Sequence, residues 1–575
     1  MPTAVTFHVG SRSNRTFTVE ATGPELDYYL LAGSPKEILA TYTDLTGKPP
    51  VPPEWAFGLW ASTCFVKFTE VSVLAEARRL RQEGVPCDVF HLDSFWQRAY
   101  MWCDFEWDAE RLPDPKRLMA ELHREGFHNC LWINPYVSCQ SALYQEGVKG
   151  GYFLRRADGS VYDALVWSQR TERGMGLCAI VDFTNPEAAR WYQGKLAEQL
   201  ALGADSFKPD FAEEIPEDAR FANGLTGAEM HNPYPLLYQQ ASFEATQGAG
   251  GRRAVAWSRS AAPGVQRYPG HWAGDSECTF LDMANTLRGG LASAMSGLAY
   301  WSHDIGGFWG EPSPALYVRW AQLGFLSALS RYHGATPREP WRFGEDALAI
   351  FREYAQLRSR LVPYLVSHGW QATETGTPLM RPMVMEFPDD AASHAFDLQY
   401  CLGRELLVSP VVTDDGWVTT YLPPGRWMDW WSGAVLEGPR TLRRQVPLRE
   451  LPLYLRENSL LVLGPVRQHV AEGPADPLTV EALVTTEATF AFRTDAGRID
   501  FRCRRDQGRI TLEARGVEGA LILRLRNVDA PRTAAADGQA LPRLGLDELA
   551  RGDRGWAVDG RTAVVKARAR ELRIE

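Results

Sequence analysis

One stretch of the chain indicates the fold: Asp205-Ser206-Phe207-Lys208-Pro209-Asp210-Phe211. It contains a short strand-like run that ends at the charged residue Asp210. It follows a helical pattern over Ala188–Ala201, whose start, Thr184-Asn185-Pro186-Glu187, combines capping residues with proline at a first helical position. A buried strand that follows a helix is one unit of a parallel β/α fold. This stretch therefore predicts that further strand–helix units lie on either side of it.

Seven more apolar runs of similar length lie between Trp55 and about Leu365. They are Ala56–Ser62, Cys87–Asp93, Asn129–Asn134, Ala254–Arg259, His271–Asp275, Leu298–His303 and Leu329–His333. Val71–Glu83 and Pro115–Glu125, between some of them, have apolar residues at three- and four-residue intervals, which is the helical period. Eight strand–helix alternations predict an α/β fold, a (β/α)₈ TIM barrel over residues 51–370, with an insertion at about 135–182.

The flanking segments have a different texture. Residues 1–50 contain strand-like runs at Val5–Val9 and Thr16–Ala21, too few to bury a core, and end in the proline-rich Lys48–Pro53. After about residue 371, short strand-like runs alternate with turn residues, which predicts C-terminal β-sandwich modules. We place their boundary at Gly464-Pro465, giving a proximal module over 371–464 and a distal module over 465–575.

Composition excludes several classes of function. Lysine and arginine total 61 against 71 acidic residues, a net charge of −10, so no nucleic-acid or polybasic membrane surface is indicated. Nine scattered cysteines without C-x-x-C spacing, and an N-terminus without a signal-like apolar region, favour a reduced, cytoplasmic protein. The 20 tryptophans, 20 tyrosines and 25 phenylalanines have two interpretations: a tryptophan-rich core, or aromatic walls that stack on sugar rings.

The candidate chemistry lies at the strand ends. Several apolar runs terminate in a polar or charged residue: Asp93, Asn134, Asp210, Arg259, Asp275 and His333. In barrel enzymes the carboxyl ends of the strands form the active site. Two carboxylates from different strands are what glycoside hydrolysis needs. The chain has no H-E-x-x-H, no P-loop and no G-x-S-x-G motif, so neither a metal nor another cofactor is predicted.

Longer motifs identify the chain as similar to family 31 glycoside hydrolases. They are Phe207–Phe211, Trp272–Asp275, Trp301–Phe308, and Leu92–Trp96 with Trp102–Trp107. The resemblance runs from about Leu26 to Leu463 and is closest to the bacterial α-xylosidase branch. It implies that residues 1–50 are the remnant of an N-terminal β-sandwich. Pro209 and Ala212 depart from the family pattern, which has a small polar residue and a glycine at these positions.

The resemblance also implies roles for individual residues. Asp210 matches the family's nucleophile and Asp275 its general acid/base. Residues that match positions holding the sugar in the first subsite are Asp93, Trp132, Lys208, Arg259 and His333. Trp167, in the insertion, matches an aromatic residue that closes the pocket. Phe65, with Phe95 beside it, matches an aromatic that fills the space of the C6 hydroxymethyl group, which glucose has and xylose lacks; plain packing at the rim is the other interpretation of Phe65.

The sequence therefore leads us to expect a retaining α-glycosidase that acts on terminal α-xylosyl residues of oligosaccharides. An α-glucosidase, a transglycosylase or a sulfoquinovosidase of the same family stay open as alternatives. So does a catalytically silent sugar-binding remnant. A homo-oligomer is a further expectation, because the barrel flank left by a missing sandwich would need covering.

Overall fold

The computed structural model describes residues 5–11, 13–23, 26–98, 101–166, 176–248, 251–495, 497–528 and 531–575. At its N-terminal end, β1 (Val5–Val9) and β2 (Phe17–Ala21) form an antiparallel ribbon, which α1 (Pro35–Thr46) follows. Ser34 begins α1 with a capping box, in which its hydroxyl accepts a hydrogen bond from the Glu37 N–H. Phe7 and Phe17 are 62% and 58% exposed, so the ribbon buries little apolar surface.

The central part of the chain is a barrel of parallel strands. Its strands and those of the insertion are β3 (Leu59–Ser62), β4 (Val89–Leu92), β5 (His128–Ile133), β6 (Tyr136–Ser138), β7 (Ala164–Leu165), β8 (Leu177–Ile180), β9 (Ser206–Pro209), β10 (His271–Trp272), β11 (Trp301–Ser302), β12 (Asp304–Ile305) and β13 (Ser330–Tyr332). The order β12-β13-β3-β4-β5-β9 and the pair β10-β11 supply most of the wall, and neighbouring strands are parallel. The predicted (β/α)₈ barrel is confirmed.

The strand predicted at Ala254–Arg259 is wrong in its extent. Within the described residues this segment has only single bridges, from Phe207 to Ala256 and from Ser258 to His271. Its neighbours explain why: Pro209 in β9 and Pro269 before β10 have no N–H to donate to a ladder. The bridges still close the barrel between β9 and β10.

Two other predicted strands differ from the structure. The run Ala56–Ser62 becomes a strand only at Leu59, because Glu54–Phe57 forms a 3₁₀ turn. The run Leu298–His303 becomes a strand only at Trp301–Ser302, where β11 pairs with β10, and a further strand, β12, begins after His303 and pairs with β13. The chain therefore pairs with the strand on one side of it before His303 and with the strand on its other side after His303.

Helices cover the outside of the barrel. They are α2 (Glu70–Gln82), α3 (Pro115–Arg124), α4 (Ala142–Gly150), α5 (Pro186–Leu202), α6 (Gly227–Met230), α7 (Tyr234–Gln247), α8 (Phe280–Met295), α9 (Pro314–Phe325) and α10 (Glu345–Thr375). Asn185 caps α5, with Pro186 in the first turn: the Asn185 side chain accepts a hydrogen bond from the Glu187 N–H, as the sequence predicts. The insertion contributes α4 and the antiparallel strands β6-β8-β7. Across the described ranges, none of the helices has the length and apolar character needed to cross a bilayer.

Helix α10 connects the barrel to both C-terminal modules and runs beyond the boundary expected at residue 370. Arg358 donates to the carbonyls of Phe57 and Phe325 in the barrel region. Farther along, Tyr364 donates to the Leu402 carbonyl, and the Ser367 hydroxyl accepts from the N–H of Arg493. One helix therefore contacts all three parts of the chain.

The proximal module is an antiparallel sheet in the order β14-β15-β16-β19-β17-β18. Its elements are β14 (Met380–Pro382), α11 (Met383–Glu386), β15 (Tyr400–Leu402), β16 (Leu406–Val408), β17 (Trp417–Asp429), β18 (Val435–Gln445) and β19 (Leu453–Arg456). Two strand-like stretches of the sequence, Trp417–Leu422 and Gly425–Asp429, form one strand, β17, whose register with β18 shifts between Leu422 and Gly425.

The distal module has sheets in the orders β20-β21-β25-β29-β28 and β22-β23-β24-β30-β26-β27. Its elements are β20 (Ser459–Leu463), β21 (Leu478–Leu483), β22 (Glu487–Thr494), β23 (Gly497–Asp506), β24 (Arg509–Arg515), β25 (Leu521–Leu525), β26 (Ala534–Ala536), β27 (Gln539–Ala540), α12 (Leu546–Arg551), β28 (Gly555–Asp559), β29 (Thr562–Ala567) and β30 (Glu571–Ile574).

The change from proximal to distal sheet occurs earlier than the expected boundary at Gly464-Pro465. The run Leu453–Leu463 looks like one strand in the sequence, but Glu457-Asn458 interrupts it, and Asn458 has a φ of +53°. Before this turn β19 pairs in the proximal sheet, and after it β20 pairs with β21 in the distal sheet. Asparagine tolerates the left-handed conformation that such a turn requires.

Tryptophans occupy the core more than the surface. The largest fully buried side chains include Trp60, Trp96, Trp102, Trp132, Trp257, Trp320 and Trp427. Trp60 and Trp257 pack against each other with ring centroids 4.5 Å apart. The core interpretation therefore accounts for many of the tryptophans, and Trp132 is both buried and part of the lining of a cavity at the carboxyl ends of the barrel strands.

Candidate active site

A narrow cavity opens at the carboxyl ends of the barrel strands. Its lining residues are Phe65, Asp93, Trp132, Lys208, Asp210, Phe211, Arg259, Asp275, Phe308, Trp309 and His333. Eight of the ten residues chosen from the sequence are among these. Asn134, another strand-end residue, instead accepts a hydrogen bond from the Tyr136 N–H outside the cavity lining. Trp167 lies outside the described residues.

Asp210 follows β9 at a sharp turn. Phe211 and Ala212 have φ values of +60° and +85°, so Ala212 adopts the backbone conformation that favours glycine. The turn directs the Phe211 N–H onto Asp210 Oδ1 at 2.8 Å, while Trp132 Nε1 donates to Oδ2 at 2.7 Å. Two donors thus fix the carboxylate in one orientation.

Two cations keep Asp210 ionised. Lys208 Nζ lies 3.5 Å from Oδ2, and Arg259 Nη1 lies 3.3 Å from Oδ1. Burial alone would raise the pKa of Asp210, but the charges of Lys208 and Arg259, with the two hydrogen bonds, outweigh it and lower that pKa. A buried, oriented and ionised carboxylate is suited to act as a nucleophile.

Asp275 follows β10 and faces the same arginine. Its Oδ2 lies 3.7 Å from Arg259 Nη1, and its side chain is 31% exposed, on the open side of the cavity. Burial by surrounding protein atoms, and then the negative charge of Asp210, raise its pKa to about 7, against the opposing charges of Arg259 and Lys208. A carboxylic acid that holds its proton near neutral pH can donate it to a leaving group.

Arg259 is held in place between the two acids. Its Nε and Nη2 bind Glu213 Oε1 and Oε2 at 2.8 and 3.4 Å, and its guanidinium lies 4.3 Å from the centre of the Phe211 ring. Glu213 lies three residues after Asp210, but the sequence does not show what it contacts. This two-point contact with Glu213 orients the remaining nitrogen, Nη1, toward Asp210 and Asp275.

The inner end of the cavity is polar. Asp93 Oδ2 lies 3.4 Å from Lys208 Nζ, 3.6 Å from His91 Nε2 and 3.7 Å from His333 Nε2. His91, Asp93 and His333 bring their ligand atoms within 4.8 Å of one another. The Lys208 ammonium opposes a second cation at Asp93, so the arrangement favours a neutral hydroxyl group over a metal ion.

Aromatic rings form one wall of the cavity. Phe65 lines it, whereas Phe95 lies behind Phe65, with ring centroids 5.1 Å apart, and does not reach the lining. Phe95 is therefore a supporting residue rather than the contact residue we expect from the sequence. Phe308 lies 6.4 Å from Phe65 and packs edge-on against Trp309 at 4.8 Å.

Phe211, Phe308 and Trp309 were missed by reasoning from the sequence. Phe211 and Phe308 lie within the quoted motifs, and Trp309 follows directly. What the sequence does not show is that the backbone of Trp309 is bound to the Asp275 loop: its N–H donates to Ser276 O, and its carbonyl accepts from the Cys278 N–H, both at 2.9 Å.

Comparisons with known proteins identify the domains that surround this site. Residues 49–368 match the glycosyl hydrolases family 31 TIM-barrel domain, and residues 376–461 match the family 31 C-terminal domain. An α-xylosidase of Emericella nidulans is 41% identical over 492 residues, covering 83% of this chain and 62% of that protein. The α-xylosidase XylQ of Lactiplantibacillus pentosus is 39% identical over 472 residues, covering 80% and 61%.

Solved structures extend the likeness to the whole fold. A GH31 dextranase of Flavobacterium johnsoniae, in complex with glucose, has a TM-score of 0.89 at 25% identity, covering 99% of this chain and 76% of that one. The chain spans about three fifths of the length of the curated relatives named above. The barrel match alone covers more than half of its residues, and the chain belongs to glycosyl hydrolase family 31.

Proposed function

We propose that the chain is a retaining α-glycosidase that hydrolyses terminal α-xylosyl residues of oligosaccharides through a covalent glycosyl-enzyme. The observation that carries this proposal is the contrast between Asp210 and Asp275. Both face one nitrogen of Arg259, yet the pKa of Asp210 is lowered and that of Asp275 is raised to about 7. One carboxylate is ready to attack and the other to donate a proton.

The reaction follows from these states. Asp210 attacks the anomeric carbon as the bond to the leaving oxygen breaks, and Asp275 transfers its proton to that oxygen. Asp275, now a carboxylate, takes a proton from water, which attacks the anomeric carbon and releases Asp210. Two inversions restore the original configuration. Arg259 stays beside both groups and balances the charge that moves between them.

Xylose is favoured over glucose because of the aromatic wall. Phe65 is held in place by Phe95, by Phe308 and by Trp102, whose ring centroid lies 5.9 Å away. A supported ring cannot easily retreat from a hydroxymethyl group, and the loss of space for one such group is worth about 1–3 kcal/mol in discrimination. The two relatives above that are named α-xylosidases support the same assignment.

The alternatives have less support in the described site. The cavity cations Lys208 and Arg259 are already ion-paired with carboxylates. The sulfonate group of a sulfoquinovoside would have to compete with those carboxylates for the two cations. An α-glucosidase of Bacillus thermoamyloliquefaciens is 31% identical, below the two α-xylosidases. Cytoplasmic location and self-association remain part of the proposal as expectations from the sequence.

The test is hydrolysis of 4-nitrophenyl α-xyloside and α-glucoside by the wild-type chain and two variants. We expect the xyloside to be preferred and Asp210→Ala to lose about 10⁴-fold or more in kcat. Azide separates the two roles: with Asp210→Ala it should give the β-xylosyl azide, and with Asp275→Ala the α-xylosyl azide. Wild-type activity in Asp210→Ala, or a folded wild-type chain that cleaves neither substrate, would refute the proposal.

A further inference from the structure

Beneath the cavity, one serine hydroxyl lies between two histidines. Ser62 ends β3, and its Oγ is 2.9 Å from His91 Nδ1 and 2.8 Å from His333 Nδ1. The N–H of Cys64 donates to the same oxygen at 3.1 Å. The side chains of Ser62, His91 and His333 are each 1% exposed, so the hydroxyl and the two Nδ1 atoms must satisfy one another.

The number of protons in this cluster restricts the histidines. A hydroxyl donates one hydrogen bond and accepts two, and Cys64 already takes one acceptor position. If both Nδ1 atoms were bare, the hydroxyl could donate to only one of them. If both were protonated, the oxygen would have to accept three hydrogen bonds and its own proton would have no acceptor. Complementary tautomers satisfy the serine hydroxyl and both Nδ1 atoms: one Nδ1 carries a proton and the other is bare.

Neutral histidines are required for this count. Burial, and then the nearby charges of Arg331 and Lys208, hold the pKa values of His91 and His333 well below their usual range. Each ring therefore has one N–H. The ring with a bare Nδ1 presents Nε2–H at its other end, and the second ring presents a bare Nε2.

The cavity decides which ring has which form. Nε2 of His333 lies 3.7 Å from Asp93 Oδ2 and Nε2 of His91 lies 3.6 Å from it, and neither nitrogen has a hydrogen-bond partner among the described residues. Of the two rings, only His333 lines the cavity, where a sugar can reach its Nε2. Asp93, ion-paired with Lys208, only accepts hydrogen bonds. A sugar hydroxyl between Asp93 and His333 Nε2 has one proton, which it gives to Asp93, so it needs a donor on the other side.

We propose that Ser62 fixes His91 as the Nδ1–H tautomer and His333 as the Nε2–H tautomer, so that His333 always offers a donor to the sugar hydroxyl bound by Asp93. The inference deepens the proposed glycosidase function and rests on it. Ser62 and His91 are positioning residues: Ser62 donates to His333 and accepts from His91, and neither Ser62 nor His91 lines the cavity.

The kinetic test compares serine variants. Ser62→Ala should raise KM for 4-nitrophenyl α-xyloside and lower kcat/KM by about 10- to 100-fold, because the donor is no longer fixed toward a buried carboxylate. Ser62→Thr keeps the hydroxyl and should recover most of the loss. Ser330→Ala is the matched control, since Ser330 is equally buried in β13 and its hydroxyl has no partner among the described residues. A wild-type KM in Ser62→Ala, or an equal loss in Ser330→Ala, would overturn the proposal.

A spectroscopic test does not depend on turnover. In protein labelled with ¹⁵N-histidine, the nitrogen shifts report which ring nitrogen is protonated, and His91→Ala and His333→Ala identify the two rings. We expect Nδ1–H for His91 and Nε2–H for His333, with this difference lost in Ser62→Ala. The same tautomer for both rings in the wild-type chain would refute the inference, whereas expected tautomers in a chain that cleaves no glycoside would refute only the proposed function.

Discussion

Asp210 and Asp275 lie against the same guanidinium nitrogen, Arg259 Nη1, at 3.3 and 3.7 Å, and their pKa values move in opposite directions. The difference arises from what else each acid contacts. Asp210 accepts hydrogen bonds from Trp132 and the Phe211 N–H and lies close to Lys208. For Asp275, desolvation and repulsion by Asp210 together outweigh the arginine.

A first prediction concerns pH. The active form needs Asp275 protonated and Asp210 ionised, so kcat/KM for 4-nitrophenyl α-xyloside should fall as pH rises through about 7, the pKa of Asp275. On the acid side, activity should persist below the usual pKa of an aspartate, because the pKa of Asp210 is lowered. A pH profile measures both limits.

α-Xylosyl fluoride is the control substrate for that profile. Fluoride departs with little help from a proton, so the loss on the alkaline side should be much weaker for this substrate. Profiles that remain flat well above neutral pH for both substrates would show that Asp275 is not the acid.

A second prediction concerns the aromatic wall. Phe65→Ala should open space at the cavity and increase kcat/KM for the α-glucoside relative to the α-xyloside by about tenfold. Phe95→Leu is the matched variant, because Phe95 supports Phe65 from behind without lining the cavity, and it should change the ratio less. An unchanged ratio in Phe65→Ala would mean that this ring only packs at the rim.

A third prediction concerns the leaving group. Trp309 lines the cavity, is partly exposed, and is bound through its backbone to the loop that carries Asp275, on the side where the leaving sugar must lie. Trp309→Ala should lower kcat/KM for an α-xylosyl disaccharide by about tenfold through lost stacking. Turnover of α-xylosyl fluoride, which has no second sugar, should change little; equal losses on both substrates would indicate a structural role.

A fourth prediction concerns stability at the contact between barrel and proximal module. Glu405 is buried and binds His368 Nε2 at 3.1 Å and the Tyr364 hydroxyl at 2.8 Å. Glu405→Ala leaves these groups without their buried acceptor and should lower the free energy of unfolding by about 3–5 kcal/mol. Chemical denaturation measures the loss, with Glu437→Ala at an exposed position of β18 as control.

The same carboxylate makes stability depend on pH. Burial would raise the pKa of Glu405, but the His368 hydrogen bond and charge, with Arg381 and Tyr364, lower it to about 2. The folded-state pKa lies below the unfolded value, so this contribution is complete above the usual pKa of glutamate. It is lost as pH falls toward about 2. Equal acid sensitivity of the wild-type chain and Glu405→Ala would contradict this assignment.

The sequence predicts those parts of the site that lie at the ends of barrel strands. The carboxyl ends of barrel strands meet on one rim, so Asp93, Asp210, Asp275 and His333 were expected to converge once the strands were recognised. Ser62 is also the last residue of its strand, but a serine there carries no charge and belongs to none of the quoted motifs. Its role depends on the register that sets β3 beside β4, opposite His91, and no local pattern contains that register.

Proline interrupts one predicted strand of this chain but does not end the helix in which it lies. The run over Ala254–Arg259 has the pattern of a strand, but its ladder fails because prolines lie in neighbouring segments, which local periodicity does not detect. Pro363, in contrast, lies inside α10, where a proline usually ends or kinks a helix. The helix continues because its far half packs on both C-terminal modules.

Helix α10 also determines how cooperatively the chain folds and unfolds. Since Arg358, Tyr364 and Ser367 connect one rod to the barrel, the proximal sheet and the distal sandwich, these parts should unfold in a single cooperative transition. A chain cut after Gly464 would lose two contacts to the helix: the Phe490 ring, 5.7 Å from the Tyr364 ring, and the hydrogen bond from the Arg493 N–H to the Ser367 hydroxyl. The distal module, remote from the sugar, is therefore part of the minimal folding unit, and trimming it for convenience should yield aggregates in place of a smaller enzyme.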